Sequence, residues 1–244
     1  MGKTISEIPM ISVIIPARDE EEAIARCLNE TIAVMDGAGF GYELIVVDDG
    51  SRDRTHELAE EMTRKFGKVK VLRCDRNLGK GYAVRKGFSQ ASGNLVMYMD
   101  VDLSIHPSGI PTLIHRMKDA DVVVGSKRHP QSQITYPLHR RFLSRCFNLL
   151  VRAMFKLRVS DTQAGFKLFR REVLEEVLPR LLVKRYAFDV ELLVNADKRG
   201  YRMVEAPIIV RHGERERMTI REIFHMAIDL LAIFYRLHFT KTYE

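Results

Sequence analysis

Five short runs of continuous apolar, largely β-branched residues, at 11–15, 44–47, 69–72, 95–99 and 122–124, alternate with segments of helical spacing at 20–35, 53–66, 81–91 and 108–117. A strand with one wet face alternates apolar and polar residues, whereas a run that is apolar throughout is covered on both sides. With a helix between successive runs, the pattern predicts a mostly parallel sheet flanked by helices, an α/β fold of the nucleotide-binding kind over residues 1–125. The 244 residues, 46% apolar and 29% charged, suffice for one large α/β domain with a substantial core. No apolar run reaches the length needed to cross a bilayer and no secretory signal is evident, so a cytoplasmic location is expected. Cys27, Cys74 and Cys146 have no metal-ligand spacing, which points to reduced thiols rather than zinc or a disulfide framework.

Past residue 125 the pattern changes. Residues 138–157 read as a helix with an apolar face of Phe142, Cys146, Leu149, Leu150, Ala153 and Leu157, and with Arg141, Arg145, Arg152 and Lys156 on another face. A second amphipathic helix is predicted over 219–238. Each can lie in a membrane interface or pack on its own domain. The expected organisation is one catalytic-type domain over 1–218 and a helical appendage over 219–244. Formal charge is +7, and no acidic residue occurs between Asp121 and Asp161, where Lys127, Arg128, Arg140, Arg141, Arg145, Arg152, Lys156 and Arg158 fall. Something anionic is expected beside that segment. Nucleic acid is the poorer fit, because aromatic stacking platforms are not interleaved with the basic residues.

Three strand ends carry polar signatures, and open α/β sheets hold their ligands at the carboxyl edge. In Pro16-Ala17-Arg18-Asp19-Glu20, Pro16 is expected to close the first strand and acids to open a helix. In Val46-Val47-Asp48-Asp49-Gly50-Ser51, two aspartates can accept hydrogen bonds from a base and a ribose, while Gly50 permits a tight turn. The run at 95–99 ends in Asp100 and Asp102. On an extended segment these would point to one side and face one divalent cation, Mg²⁺ or Mn²⁺, which would bridge a diphosphate. The stretch Asn77-Leu78-Gly79-Lys80-Gly81 fails the full dinucleotide fingerprint, and no phosphate-binding loop ends in Gly-Lys-Ser/Thr, which argues against an NAD enzyme and a P-loop NTPase.

Taken together, Ser12–Glu20, Val46–Ser51, Asn77–Gly87 and Asp100–Asp102 resemble the family 2 inverting glycosyltransferases of the GT-A (Rossmann-like) fold. Val124–Lys127, Ser160–Phe169 and Tyr186–Leu192 extend the match and are similar to the dolichyl-phosphate glucosyltransferase branch. That resemblance implies that Pro16, Arg18, Glu20, Val46, Asp48, Asp49, Lys80, Asp100, Val101, Asp102, Gln163, Arg211 and Arg217 surround a nucleotide-sugar. Asp102 becomes the principal metal ligand, with Asp100 beside it and Ser104 where mannosyl relatives carry a glutamine. Lys127, Arg140 and Ser144 match positions that grip an acceptor phosphate. The implied reaction moves a hexose, glucose from UDP-glucose, with inversion to dolichyl or another polyprenyl phosphate at the cytosolic face of a membrane, to which the protein is bound peripherally.

A phosphate monoester is largely dianionic at pH 7 and needs no strong base. Were the acceptor a sugar hydroxyl, a base would be required, and Asp189 is the candidate. Asp161 is expected to line the sugar pocket with Gln163, and Asp189 and Glu191 either to face it or to lie on a helix surface. Alternatives in the same class are GDP-mannose as donor and a non-lipid acceptor. In a different class stands a non-catalytic nucleotide-sugar-binding module.

Overall fold

A computed structural model describes residues 10–135, 138–185, 187–211, 220–240 and 242–243, without the side chains of 138–146 and 220–223. The apolar runs become β1 (Met10–Ala17), β2 (Gly41–Asp48), β3 (Val69–Arg73), β4 (Leu95–Met99) and β5 (Val122–Ser126). Between them lie α1 (Ile24–Ala38), α2 (Thr55–Lys65), α3 (Lys80–Gln90) and α4 (Ile110–Arg116). There follow β6 (Gln133–Ile134), α5 (Leu138–Phe155), β7 (Phe166–Arg170), α6 (Arg171–Val177), α7 (Phe188–Lys198), β8 (Met203–Pro207), β9 (Ile209–Val210) and α8 (Ile220–Tyr235). The main sheet runs β3-β2-β1-β4-β7-β5-β8, with β7 antiparallel to both neighbours and the other pairings parallel.

Side chains of a strand point alternately to its two faces, and both faces here are apolar. Ile11, Val13 and Ile15 of β1 pack with α1, α2 and α4, while Ile14 packs with Val47, Val84 and Tyr98 on the side of α3 and α7. Each such fully buried aliphatic contributes about 1.5–3 kcal/mol, which fixes the register of the sheet. Parallel strands all end at the same edge, so the carboxyl ends of β1, β2 and β4 lie side by side.

Two expectations are corrected. Pro16 does not close β1, which continues through it to Ala17; by then β1 is paired to β2 alone, since its pairing with β4 stops at Ile14, so the missing amide is tolerated. Asp100 and Asp102 do not sit on an extended segment, because β4 stops at Met99 and the chain turns over residues 101–102, with Leu103 at φ 55°. The packed face of α5 is Asn148, Val151 and Phe155, while Leu149, Leu150 and Ala153 turn to solvent. Leu149 and Leu150 lie on the side that no other described element covers. α8 also buries one face, with Met226, Leu230 and Ile233 in the same core cluster as β4 and β5.

Candidate active site at the sheet edge

The loops after β1 and β2 are sewn to each other. The amide of Asp19 (φ 51°) donates to Ser51 Oγ at 3.0 Å, that of Glu20 to Thr55 Oγ1 at 2.7 Å, and that of Arg52 to Asp19 Oδ1 at 2.8 Å. Arg18 is left half-exposed, its Nε 3.5 Å from Asp19. Asp48 is fully buried: Oδ1 accepts from the Ser51 amide at 2.8 Å, while Oδ2 has no hydrogen bond and lies 3.4 Å from Arg73 Nε and 3.6 Å from His56 Nδ1. Such an acceptor is costly to leave unmade and suits a ligand N–H.

Asp49 does something the sequence did not suggest. Its two oxygens accept from the amides of Leu78 and Gly79, both at 2.8 Å, so it ties the glycine-rich loop to the end of β2. Gly50 makes this possible: at φ +72° with the Arg76 backbone 2.6 Å from where a Cβ would sit, no side chain fits. Asp49 is therefore a loop anchor, with a second lone pair left on each oxygen. Val46 and Val101 pack in the hydrophobic core, so only their backbones reach the edge.

The loop held by Asp49 delivers Lys80. Its Nζ lies 2.8 Å from Asp100 Oδ1 and 3.4 Å from Asp189 Oδ2, above the Tyr98 ring. Burial would favour a neutral amine, but Asp100 and Asp189 outweigh it and raise the Lys80 pKa, so the site keeps a fixed ammonium. Asp100 is braced from behind, with its amide donating to Gly165 O at 2.9 Å. A Cβ at Gly165 would fall 1.7 Å from Asp100 Oδ2, so that glycine keeps room for the carboxylate. Asp102 Oδ1 accepts from the Ser104 amide at 2.9 Å, and Ser104 O accepts from the Arg211 amide at 2.8 Å, which brings Arg211 to the same turn.

Beneath Lys80 lies a pair that the sequence reading missed. Lys167 is fully buried and donates to Asp189 Oδ1 at 2.6 Å and to Ala164 O at 2.5 Å, and the Tyr98 hydroxyl donates to the same Asp189 oxygen at 2.5 Å. Burial alone would raise the Asp189 pKa, but Lys167 and Lys80 overcome it and hold the carboxylate below its ordinary range. Asp189, 2% exposed, thus serves as counter-ion to two lysines, and it is not helix-surface charge. The one available signal was the lysine in the otherwise apolar strand Phe166-Lys167-Leu168-Phe169. Phe166 and Phe169 are fully buried core residues, as the strand pattern implies.

Asp161 is buried and organises its own turn, accepting from the amides of Lys127 at 2.9 Å and of Gln163 and Ala164 at 3.2 Å each. Its oxygens serve backbone. Gln163 does carry a buried amide nitrogen, Nε2, without a partner. Lys127 follows the end of β5 at this turn. Arg140 and Ser144 lie on α5 with their side chains outside the described residues, and Arg217 lies outside them altogether.

Among the described residues no group of three or more His, Cys, Asp or Glu could enclose a metal. Asp100 and Asp102 offer two carboxylates on one turn. That set fits Mg²⁺ or Mn²⁺, which take a few protein carboxylates and complete their shell with substrate phosphate and water, better than a cation needing an all-protein cage.

Residues 12–178 match the family model described as Glycosyl transferase family 2. Among curated proteins, the dolichyl-phosphate beta-glucosyltransferase ALG5D of Trichomonas vaginalis is 33% identical across 97% of this chain and 77% of its own length. The ALG5C protein of that organism is 33% identical across 91% and 71%. The fold is similar to that of glucosyl-3-phosphoglycerate synthase from Mycobacterium tuberculosis, solved with Mn²⁺, uridine diphosphate and phosphoglyceric acid: TM-score 0.71, 21% identity, 93% of this chain and 78% of that one. A second structure of that enzyme, with Mn²⁺, UDP-glucose and phosphoglyceric acid, gives a TM-score of 0.71 at 21% identity over 96% and 84%.

Proposed function

The chain belongs to glycosyl transferase family 2 and is a glycosyltransferase, and from this premise we propose that it transfers glucose from UDP-glucose, with inversion, to dolichyl or another polyprenyl phosphate at the cytosolic surface of a membrane. One observation carries the choice of acceptor: Asp189, the carboxylate best placed to act as a base, has both oxygens committed to Tyr98, Lys167 and Lys80. A site whose base is neutralised by two ammonium groups suits a nucleophile that arrives already charged. A phosphate monoester does so at neutral pH, whereas a sugar hydroxyl does not. The names of the curated relatives support the same acceptor class, and the ligands of the similar structures support a uridine diphosphate donor.

Lys80 and Arg211 then flank the diphosphate, Asp48 and the Arg18–Glu20 loop the nucleoside, and Gln163 the sugar. Asp102, with Asp100 and Ser104 beside it, would hold Mg²⁺ or Mn²⁺, and that cation would supply charge neutralisation for a leaving diphosphate. Catalysis is mainly positioning and charge stabilisation. Lys127, with Arg140 and Ser144 from α5, holds the acceptor phosphate in line.

Membrane contact rests on the α5–α8 face. Leu149, Leu150, Phe224, Ile228, Leu231, Tyr235 and Phe239 are exposed there, with Arg152, Lys156 and Arg158 exposed on and just after α5. Apolar side chains with neighbouring cations suit an interfacial, anionic lipid surface. Among the described residues no helix is long and apolar enough to cross a membrane. The test is incubation of the purified protein with UDP- and GDP-sugars, dolichyl phosphate or glucose as acceptor, and Mg²⁺ or Mn²⁺, with the product identified by mass. Glucosyl phosphoryl dolichol is expected; a product formed only on the free sugar would overturn the reading.

A further inference from the structure

The glycine-rich loop is gripped from two sides. Asp49 holds it from β2, and residues 181–185 press on it from the other side as a strap. The Gly81 amide donates to Lys184 O at 2.9 Å, Arg85 of α3 donates to Leu181 O, and a Cβ at Gly79 would fall 2.4 Å from Lys184 O. Lys80 stands between those glycines, so the strap sets where its ammonium emerges.

The strap is itself fixed by one buried carboxylate that the proposed chemistry does not use. Glu191 on α7 is fully buried, and its Oε2 accepts from the amides of Leu182 at 2.9 Å and Val183 at 2.8 Å. Its Oε1 accepts from the Tyr243 hydroxyl at 2.5 Å and lies 3.6 Å from Arg236 Nη1. Tyr243 is 1% exposed, and its carbonyl accepts from Arg199 Nη2 at 2.7 Å. Arg236 begins the π-helical turn that directly continues α8. Two oxygens of one side chain therefore join the end of the exposed apolar helix to the strap, and the strap to Lys80.

We propose that Glu191 is a positioning residue: through Tyr243 and Arg236 on one oxygen and the Leu182 and Val183 amides on the other, it couples the seating of α8 to the placement of Lys80 and so to donor affinity. The inference rests on the reading of Lys80 as a donor-binding group. Coupling of this kind is reciprocal, so donor binding also tightens the segment after α8.

Tyr243→Phe is the informative variant, because it keeps the buried ring and removes only the hydroxyl. The full chain is compared with it in steady-state kinetics with UDP-glucose and dolichyl phosphate, and in amide hydrogen exchange with and without UDP and Mn²⁺. The expected result is a donor KM raised about threefold to tenfold with kcat within about twofold, the split that a lost ground-state contact gives. The Leu182 and Val183 amides exchange faster in the variant, while β1 amides, which report global opening, are unchanged. In the wild-type protein, UDP with Mn²⁺ slows exchange at Leu182, Val183 and Tyr243. Unchanged exchange at Leu182 and Val183 in Tyr243→Phe, or a fall in kcat at constant KM, would overturn the coupling. Lys80→Met separates the two readings: an unaltered donor KM in that variant overturns the role of Lys80, whereas a raised KM there with an unaltered one in Tyr243→Phe overturns the latch alone.

Discussion

The carboxyl edge of the sheet and the α5–α8 face are built on opposite rules. At the edge, Asp49, Asp161 and Asp189 are each engaged by a backbone amide or an ammonium, Asp100 holds Lys80 through one oxygen, and the positions of Gly50 and Gly165 leave no room for a side chain. On the helical face, Leu149, Phe224, Leu231 and Phe239 are each more than 60% exposed. Preorganised charge serves a small anionic ligand whose geometry must be fixed before reaction. An uncovered apolar face is suited to a partner that is large and fluid, where contact area matters more than register.

The largest effect that would break this contrast concerns the edge. Asp102→Asn should lower the transfer rate by about a thousandfold, roughly 4 kcal/mol of transition-state stabilisation, with thermal unfolding unchanged. Near wild-type turnover would show that the rigid edge is not the reacting centre. Next, Lys167→Met strips Asp189 of one buried partner and should cost about 3 kcal/mol in urea unfolding, as unpairing a buried ion does. Donor KM should also rise, because Lys80 is then drawn toward Asp189.

Acid should loosen the same rigid body. Burial pushes the Glu43 carboxyl upward, but hydrogen bonds from Lys70, Ser12 and Ser92 prevail and hold its pKa at about 2 against an ordinary 4.5. Because the folded value is the lower one, the stabilisation is present above the ordinary range and is lost as pH falls from about 4.5 toward 2. Glu43→Gln should flatten stability in that window by on the order of 2 kcal/mol. The smallest effect belongs to the soft face. Replacing Phe224 and Leu231 with Ser should weaken binding to anionic vesicles about tenfold, which corresponds to ~1.4 kcal/mol, while melting temperature and UDP affinity stay constant. Loss of stability in that variant would mean that the face is packed rather than presented.

Much of this was legible beforehand, and unevenly so. The apolar runs gave the strands because burial on both faces leaves a continuous signal, and the carboxylates at three strand ends were found because parallel strands end together. The roles within that edge were less legible. Asp48 and Asp49 are chemically identical neighbours, yet one keeps an open oxygen and the other anchors a loop 29 residues away in sequence. For α5, spacing says which residues share a side, not which side meets the core.

Local chemistry along the chain was enough to decide the α/β class, the likeness to family 2 transferases and the presence of Asp100 and Asp102 just past the end of β4. Pairing across long separations was not: Lys167 with Asp189, Gly165 behind Asp100 and Tyr243 with Glu191 depend on strands and helices meeting in space. A buried charge is tolerable only beside its partner, and sequence carries the need for a partner without saying which residue the fold will bring.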